Sequence, residues 1–466
     1  SLEDFRYSLV VKNISNSHRV WNITDPFNIK EHELENYSAT EYSFDYDLFS
    51  GISDEKFILF DNVNFLSPQL EGQIQNQNLH AASNFDMLIV SHPDFLSAAN
   101  LLADFHSQNS GRSCYIVTPQ QIYNEFSSGK QDISAIRDYC RYLYNINTKF
   151  KYLLIIGDAS YDPKDRLQLN TNFVITYQSN NSISPLNTFA TDDYFGYLDD
   201  NEGLLENDLL DIGIGRLPAK SLDEANNMVR KIINYHNADS RGDWRNVMTF
   251  IADDGDDSDG NIHMSQAESL SNIINDNYHL YNLEKIYLDA YDQEATPVGQ
   301  RSPKTNEAIN RQIEKGSLIV NYTGHGGELG LTQERIVNVT QIQNWDNDNK
   351  LPLFVTATCE FGRFDNPALT SSGEYIILNP NGGGVALLTT TRYVYSHLNY
   401  NLNTNFINTI FEKVNGNTQT LGDVFLETKI LSGTSINNNK FTLLGDPMMT
   451  LSIPKYKILT TDFSDT

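Results

Sequence analysis

The sequence predicts an α/β protein: a mainly parallel sheet with helices on both faces, carried by two α/β subdomains and preceded by a β-rich N-terminal region. Three observations predict it. From residue 85 onward, short apolar runs alternate with stretches of helical periodicity, the pattern of successive strand–helix units. Those apolar runs are rich in β-branched residues and do not alternate with polar ones, as strands buried on both faces require. Before residue 85 the chain is rich in Asn, Ser, Tyr and Phe and has few helical patterns.

In order, residues 1–84 form the β-rich region, with short strands expected at 7–12, 20–23 and 56–60 between turn residues. Nothing in it suggests chemistry. The first α/β subdomain spans 85–240. It opens with a strand from 86 and a helix over 93–106, then a strand at 114–118 and a helix over 132–146. A strand at 152–156 ends in Gly157 and Asp158, and a long polar loop carries Thr191-Asp192-Asp193. The run 211–217 stops at Pro218, and a helix follows over 221–237. The second subdomain spans 241–455. Its strand at 246–252 ends in Asp253-Asp254-Gly255, and a helix covers 263–277. Next come a strand at 285–288, a helix over 304–315, and two strands at 318–322 and 353–357. A strand at 384–392, helices over 402–413 and 421–432, and a closing strand at 448–453 complete it. Residues 456–466 read as a C-terminal linker.

Bulk composition narrows the function. The 466 residues carry 60 acidic against 33 basic side chains, a net charge of −27. Such a field repels phosphate backbones and anionic lipid, so nucleic acid is disfavoured and not expected as a partner. No run approaches the roughly 18 uncharged apolar residues of a spanning helix, and no signal peptide opens the chain. The opening Ser1-Leu2-Glu3 is expected to begin a processed piece of something longer.

Three cysteines, an odd number without regular spacing, argue against a disulfide framework and against a paired-cysteine zinc site. Cys114, in a strand, and Cys140, on a helical stripe with Ile136 and Leu143, read as inert core thiols. Cys359 differs, because Glu360-Phe361-Gly362 follows it where a strand should stop. His325 stands at another strand end, inside Gly324-His325-Gly326-Gly327, where glycines leave backbone N–H groups open to a ligand. In parallel sheets functional groups gather beyond the carboxyl ends of the strands. Cys359 and His325 are therefore a candidate catalytic pair, since a neighbouring imidazolium stabilises a thiolate.

The backbone N–H groups of Gly326 and Cys359 are candidate donors to an oxyanion. Asp253 and Asp254, at a third strand end, are candidates to orient the imidazole, against the alternative of a solvated acidic loop. The acidic run 253–261 also raises calcium. An EF-hand register from Asp257 would put Ile262 where glycine is required. An irregular structural calcium site near Asp256, Asp257 and Asp259 stays open beside the solvated loop, and no cofactor is required. The sequence has no serine-hydrolase elbow, zinc-peptidase helix, P-loop or dinucleotide fingerprint. His397, without glycine neighbours, ranks below His325.

The strand leading into Tyr322-Thr323-Gly324-His325-Gly326-Gly327, with Cys359 at a second strand end, resembles the gingipain-type cysteine peptidases, family C25. The segments Leu154 to Asp158, Ile214 to Pro218 and Leu444 to Pro447 extend the resemblance over about 85–453. It implies a caspase-like fold, Cys359 as nucleophile and His325 as general base and acid. Through the strand 249–255 it implies Asp254 as the acidic partner, with Asp253 one position away. The wording from Ala357 to Asp365, and the segments at 7–12 and 20–26, resemble the sortase members of the family, which serve type IX secretion. That implies a place on the outer face of a Gram-negative outer membrane, beside attachment-complex proteins. It also implies removal of a C-terminal signal domain from secreted cargo and transfer of the new carboxyl end, through a thioester, to an amine of anionic lipopolysaccharide. Two departures bear on specificity. Gly327 stands where gingipains carry serine, and the neutral Asn261 stands near the acidic pocket residue of arginine-specific members. Asn261 is the substrate-pocket candidate. The rival expectations are an ordinary secreted peptidase cutting after Arg or Lys, and a non-catalytic scaffold that holds cargo.

Overall fold

The computed structural model describes residues 5–48, 55–61, 63, 65–70, 72–180, 183–203, 208–256, 259–297 and 299–454. The expected linker at 456–466 lies outside them, as does Asp257. The chain forms two units, Ser1–Asn76 and Gln77–Thr466.

In the first unit, the aromatic and β-branched segments build two antiparallel sheets. Phe5–Lys12 pairs with Glu41–Leu48, which pairs with Glu35–Ser38; His18–Asn22 lies between Lys30–His32 and Phe57–Asp61. The strands at 30–32, 35–38 and 41–48 were not expected, because charged and polar residues interrupt their apolar alternation. Their small core is anchored by Val20 and Phe44, with Phe57 packed edge-on to Tyr46 and tilted against Phe44.

The second unit is organised by a ten-stranded sheet. Its strands are Met87–Ser91 (β1), Cys114–Val117 (β2), Tyr152–Ile156 (β3), Gly213–Leu217 (β4) and Val247–Ala252 (β5). Asn282–Tyr287 (β6), Ile319–Thr323 (β7), Leu353–Ala357 (β8), Ala386–Thr390 (β9) and Phe441–Leu444 (β10) complete it. Across the sheet the order is β6-β5-β7-β8-β9-β10-β4-β3-β1-β2. Neighbours are parallel throughout except at β9 and β10, which are antiparallel. Two parallel halves therefore meet at one seam, and their carboxyl ends fall at opposite edges of the sheet. The absence of alternation has the expected cause: along β1, Met87 and Ile89 enter one core cluster while Leu88 and Val90 enter another. Leu79 and Ala82, upstream of residue 85, pack into that second cluster.

Helices fill the connections, and their ends are marked locally. Thr118 and Gln121 form a capping box at the start of Pro119–Phe126, and Ser371 and Glu374 form another for Ser372–Leu378. These two short helices escaped sequence reading because a period of 3.6 is hard to see over two turns. The expected helix at 402–413 is Ser396–Thr409. The expected closing strand at 448–453 is not one, and the sheet takes Phe441–Leu444 instead. Beyond Pro447 the backbone turns its hydrogen bonds to the start of helix Leu421–Ser432: Pro447 O accepts from Gly422 N–H and Met449 O from Leu421 N–H. Among the described residues no helix is long and apolar enough to cross a membrane.

Register sets the site. Ala252 pairs with Thr323, and Thr323 with Ala357, so β5, β7 and β8 end level. Asp254, His325 and Cys359 each stand two residues beyond that aligned row.

Candidate active site

Past β7 the chain leaves the sheet and presents His325, whose side chain is 45% exposed, beyond the strand end. Gly324 allows this. A Cβ there would lie 2.5 Å from Asp253 Cβ and 2.4 Å from Tyr322 Oη. Its absence lets the His325 backbone N–H donate to Asp253 Oδ2 at 2.8 Å. Tyr322 Oη donates to His325 O at 2.5 Å, and Thr332 N–H donates to the same carbonyl at 3.0 Å. The histidine backbone is thus held at both its polar groups. Burial pushes the Asp253 carboxyl up to about 7, with the His325 N–H opposing and neighbouring Asp254 adding to the rise.

The imidazole is oriented by neither expected carboxylate. Its Nε2 lies 2.9 Å from Asp259 Oδ2 and 3.6 Å from Asp256 Oδ2. Asp253 serves the backbone N–H, while Asp254 accepts from Gln293 Nε2 at 2.5 Å. The correction has a physical reason. Asp254 is level with His325, but Asp256 and Gly260 pair with each other beyond the strand end, and Asp259 reaches the ring. Asp259 N–H also donates to Asp256 Oδ1 at 2.8 Å.

Cys359 is half-buried after β8. Its Sγ accepts from Val394 N–H at 3.5 Å and lies 3.8 Å from Val394 O. Burial raises the thiol pKa, opposed by the Val394 N–H and by Lys440, with Glu360 adding to the rise. Burial thus favours the neutral thiol. The 392–394 loop that grips it is itself anchored: Lys440 Nζ donates to Tyr393 O at 2.7 Å and to Leu186 O at 2.6 Å. Arg392 makes a buried two-pronged pair with Asp365, at 2.6 and 2.5 Å, and its carbonyl accepts from Glu360 N–H at 3.2 Å. Glu360 has φ +49°, a left-handed turn uncommon for a non-glycine residue, directly beside the thiol. Cys140 is pushed up by full burial, and Cys114 is pushed up to about 12 by burial first of all, so both other thiols are inert at neutral pH.

Gly326 begins a small three-stranded sheet, Gly326–Gly327, Gly330–Leu331 and Val337–Asn338. A Cβ on Gly326 would meet Thr358 Oγ1 at 2.6 Å, so only glycine brings this backbone against the residue preceding Cys359. Asn261 caps helix Ile262–Asn277 without a side-chain hydrogen bond and is exposed. His397 lies in the first turn of Ser396–Thr409.

Two residues near the imidazole were missed. Asp259 was read only as a calcium candidate, and His263 was not singled out. His263 is buried, packed edge-on against His325 with ring centroids 4.9 Å apart. An aspartate and a histidine four residues apart across a helix start were the available signal. Motifs elsewhere prove structural: Asp446 accepts from buried His106 at 2.7 Å, and Arg216 clamps Asp192 through two bonds of 2.7 Å.

The model of peptidase family C25 matches residues 80–452. No curated sequence is significantly similar to the chain. Among solved structures, the arginine-specific cysteine proteinase gingipain R is similar with a TM-score of 0.62 and 19% identity, covering 81% of this chain and 80% of that one. The RgpB pro- and mature-domain complex of Porphyromonas gingivalis gives a TM-score of 0.62 and 18% identity, covering 79% and 81%. Dimeric latent PorU from Porphyromonas gingivalis gives a TM-score of 0.56 and 19% identity, covering 96% of this chain. The chain spans 38% of PorU.

Proposed function

The chain belongs to peptidase family C25, the gingipain-type cysteine peptidases, and on that premise we propose that it is a sortase-like endopeptidase and transpeptidase. Its substrate is a secreted protein with a C-terminal signal domain. Its product joins the new carboxyl end to an amine of anionic lipopolysaccharide at the cell surface, among outer-membrane attachment proteins. The observation that carries this reading is the extent of the likeness to PorU. It covers 96% of this chain, against 81% for gingipain R.

In the proposed reaction, Asp259 holds His325 at Nε2, which leaves Nδ1 to take the proton from Cys359 Sγ. The sulfur attacks the scissile carbonyl carbon, forming a C–S bond. Backbone N–H groups of Gly326 and Cys359 bind the oxyanion. Collapse breaks the C–N bond, and His325 gives its proton to the departing amine of the signal domain. An incoming sugar-linked amine then attacks the thioester, losing a proton to His325 as the thiolate leaves. The neutral thiol that burial favours fits this scheme: proton transfer accompanies substrate binding instead of preceding it.

The test is mass spectrometry of signal-bearing cargo incubated with wild-type and Cys359→Ala protein, with a primary amine present. The reading expects cleavage and amine-adducted product from the wild type alone. Undiminished cleavage by the variant would end it. An ordinary hydrolase with Arg or Lys specificity is favoured by the likeness to the arginine-specific gingipain. Brisk turnover of a small Arg or Lys peptide panel, without amine adducts, would establish that reading.

A further inference from the structure

We propose that Asp259, His263 and His325 form a binding site for a divalent transition-metal ion of the zinc type, whose occupation shuts off His325 as a base. Each of the three offers a ligand atom, and these atoms all lie within 4.8 Å of one another. The two imidazoles converge on one oxygen: Asp259 Oδ2 is 2.9 Å from His325 Nε2 and 3.5 Å from His263 Nε2. Ligand atoms on a tetrahedral zinc ion stand about 3.3 Å apart, given metal–ligand bonds near 2.0–2.1 Å. Small rotations of exposed Asp259 and of His325 suffice to reach that spacing. The ring planes of His263 and His325 cross at 82°, so the two rings approach a common point without stacking.

His263 is the independent pointer. It is 4% exposed, and neither ring nitrogen has a hydrogen-bond partner among the described residues. Its approach to Asp259 is an ion-pair distance without hydrogen-bond geometry. An imidazole buried with both nitrogens unsatisfied is costly, and a ring aimed at a second histidine and a carboxylate has the donor set of a metal site. Two imidazoles and one carboxylate select a borderline-soft ion such as zinc over calcium, which takes oxygen ligands. Asp256 Oδ2, 3.6 Å from His325 Nε2, is a further donor within reach.

The regulatory consequence rests on the proposed function. Metal on Nε2 leaves the hydrogen of a neutral imidazole on Nδ1. A ring so bound has no lone pair left to accept the Cys359 proton. The metal also displaces Asp259 from its role as orienting partner. Binding would thus hold the peptidase silent, and a chelator or a competing ligand would release it.

The test is isothermal titration of the full chain with zinc chloride, and cobalt(II) absorption as an independent report on tetrahedral nitrogen and oxygen ligation. One equivalent is expected to bind the wild type and the Cys359→Ala variant alike. His263→Ala and Asp259→Asn should each weaken binding by about 100-fold or more. Since Asp259 is partly exposed, its variant keeps the test sound should His263→Ala fail to fold. Binding that survives both substitutions, that vanishes in Cys359→Ala, or that calcium reproduces equally would overturn the proposal, as would absence of binding. Because these readouts need no turnover, they stand apart from the fate of the sortase reading. One equivalent bound at these residues in a chain that cleaves nothing would leave the metal site standing and remove the enzyme.

Discussion

The imidazole of His325 is bonded through Nε2 to Asp259, 66 residues away, at 2.9 Å, while the backbone N–H of the same histidine is bonded to Asp253 at 2.8 Å. One residue thus divides its ring and its backbone between two carboxylates from a single loop. The proposed base is positioned twice, and the two roles separate by mutation.

Asp259→Asn is expected to lower peptide cleavage by about 100-fold, the low end of what positioned proton transfer contributes. Asp254→Asn should stay close to wild type, since its partner is Gln293. A large loss from Asp254→Asn, with Asp259→Asn unaffected, would restore the assignment expected from sequence.

The half-buried thiol makes a pH prediction. Burial raises Cys359 above its usual 9.0, so iodoacetamide should alkylate it slowly at neutral pH, with a midpoint on the alkaline side of 9.0. Mass mapping should find Cys140 unlabelled until the chain is denatured. Fast labelling of Cys359 at pH 7 would mean a thiolate before substrate binds.

Asp253 makes the opposite kind of prediction, on stability. Its carboxyl titrates near 7 in the folded chain against 3.8 when free. Between those values the folded chain holds a proton that the unfolded chain has lost, so stability falls as pH rises through the window. Asp253→Asn should flatten the thermal midpoint between pH 4 and 7, as measured by calorimetry; an unchanged slope would refute the buried titration.

Gly326→Ala would set a Cβ 2.6 Å from Thr358 Oγ1 and 3.0 Å from its Cγ2. A cost of about 1–3 kcal/mol from overpacking is expected, along with lost activity as the backbone N–H shifts. Adding Thr358→Ala should recover part of the stability, a non-additivity that chemical denaturation of the double-mutant cycle would read.

Asp192→Ala leaves the fully buried Arg216 guanidinium with the carbonyls of Gly157, Val174 and Ile175 and the ring of Phe364, and without its carboxylate partner. Breaking a buried pair by removing one partner costs about 3–5 kcal/mol. The variant should melt well below wild type, and one that melts alongside it would show the clamp to be unimportant.

Much of this was legible from residue order. Unbroken β-branched runs declared β7 and β8 as doubly buried strands, and abrupt glycine or polar residues declared their ends. Two such ends carrying a histidine and a cysteine were enough to single out His325 and Cys359, because a parallel sheet gathers its strand ends along one edge. The same local rules failed at 448–453, an apolar run whose backbone groups bond to a helix start instead of a ladder.

By itself, then, the sequence determined the α/β class, the strand ends and the two residues that end them, because periodicity and turn chemistry act over a few residues. Only the tertiary structure decided that β10 joins the first half of the sheet, that the two halves meet antiparallel, and which carboxylate reaches the imidazole. It also buried His263 beside His325. Those outcomes depend on which residues beyond a strand end meet across the sheet edge and on which strands become neighbours. Packing across tens to hundreds of residues settles both, and no local pattern records it.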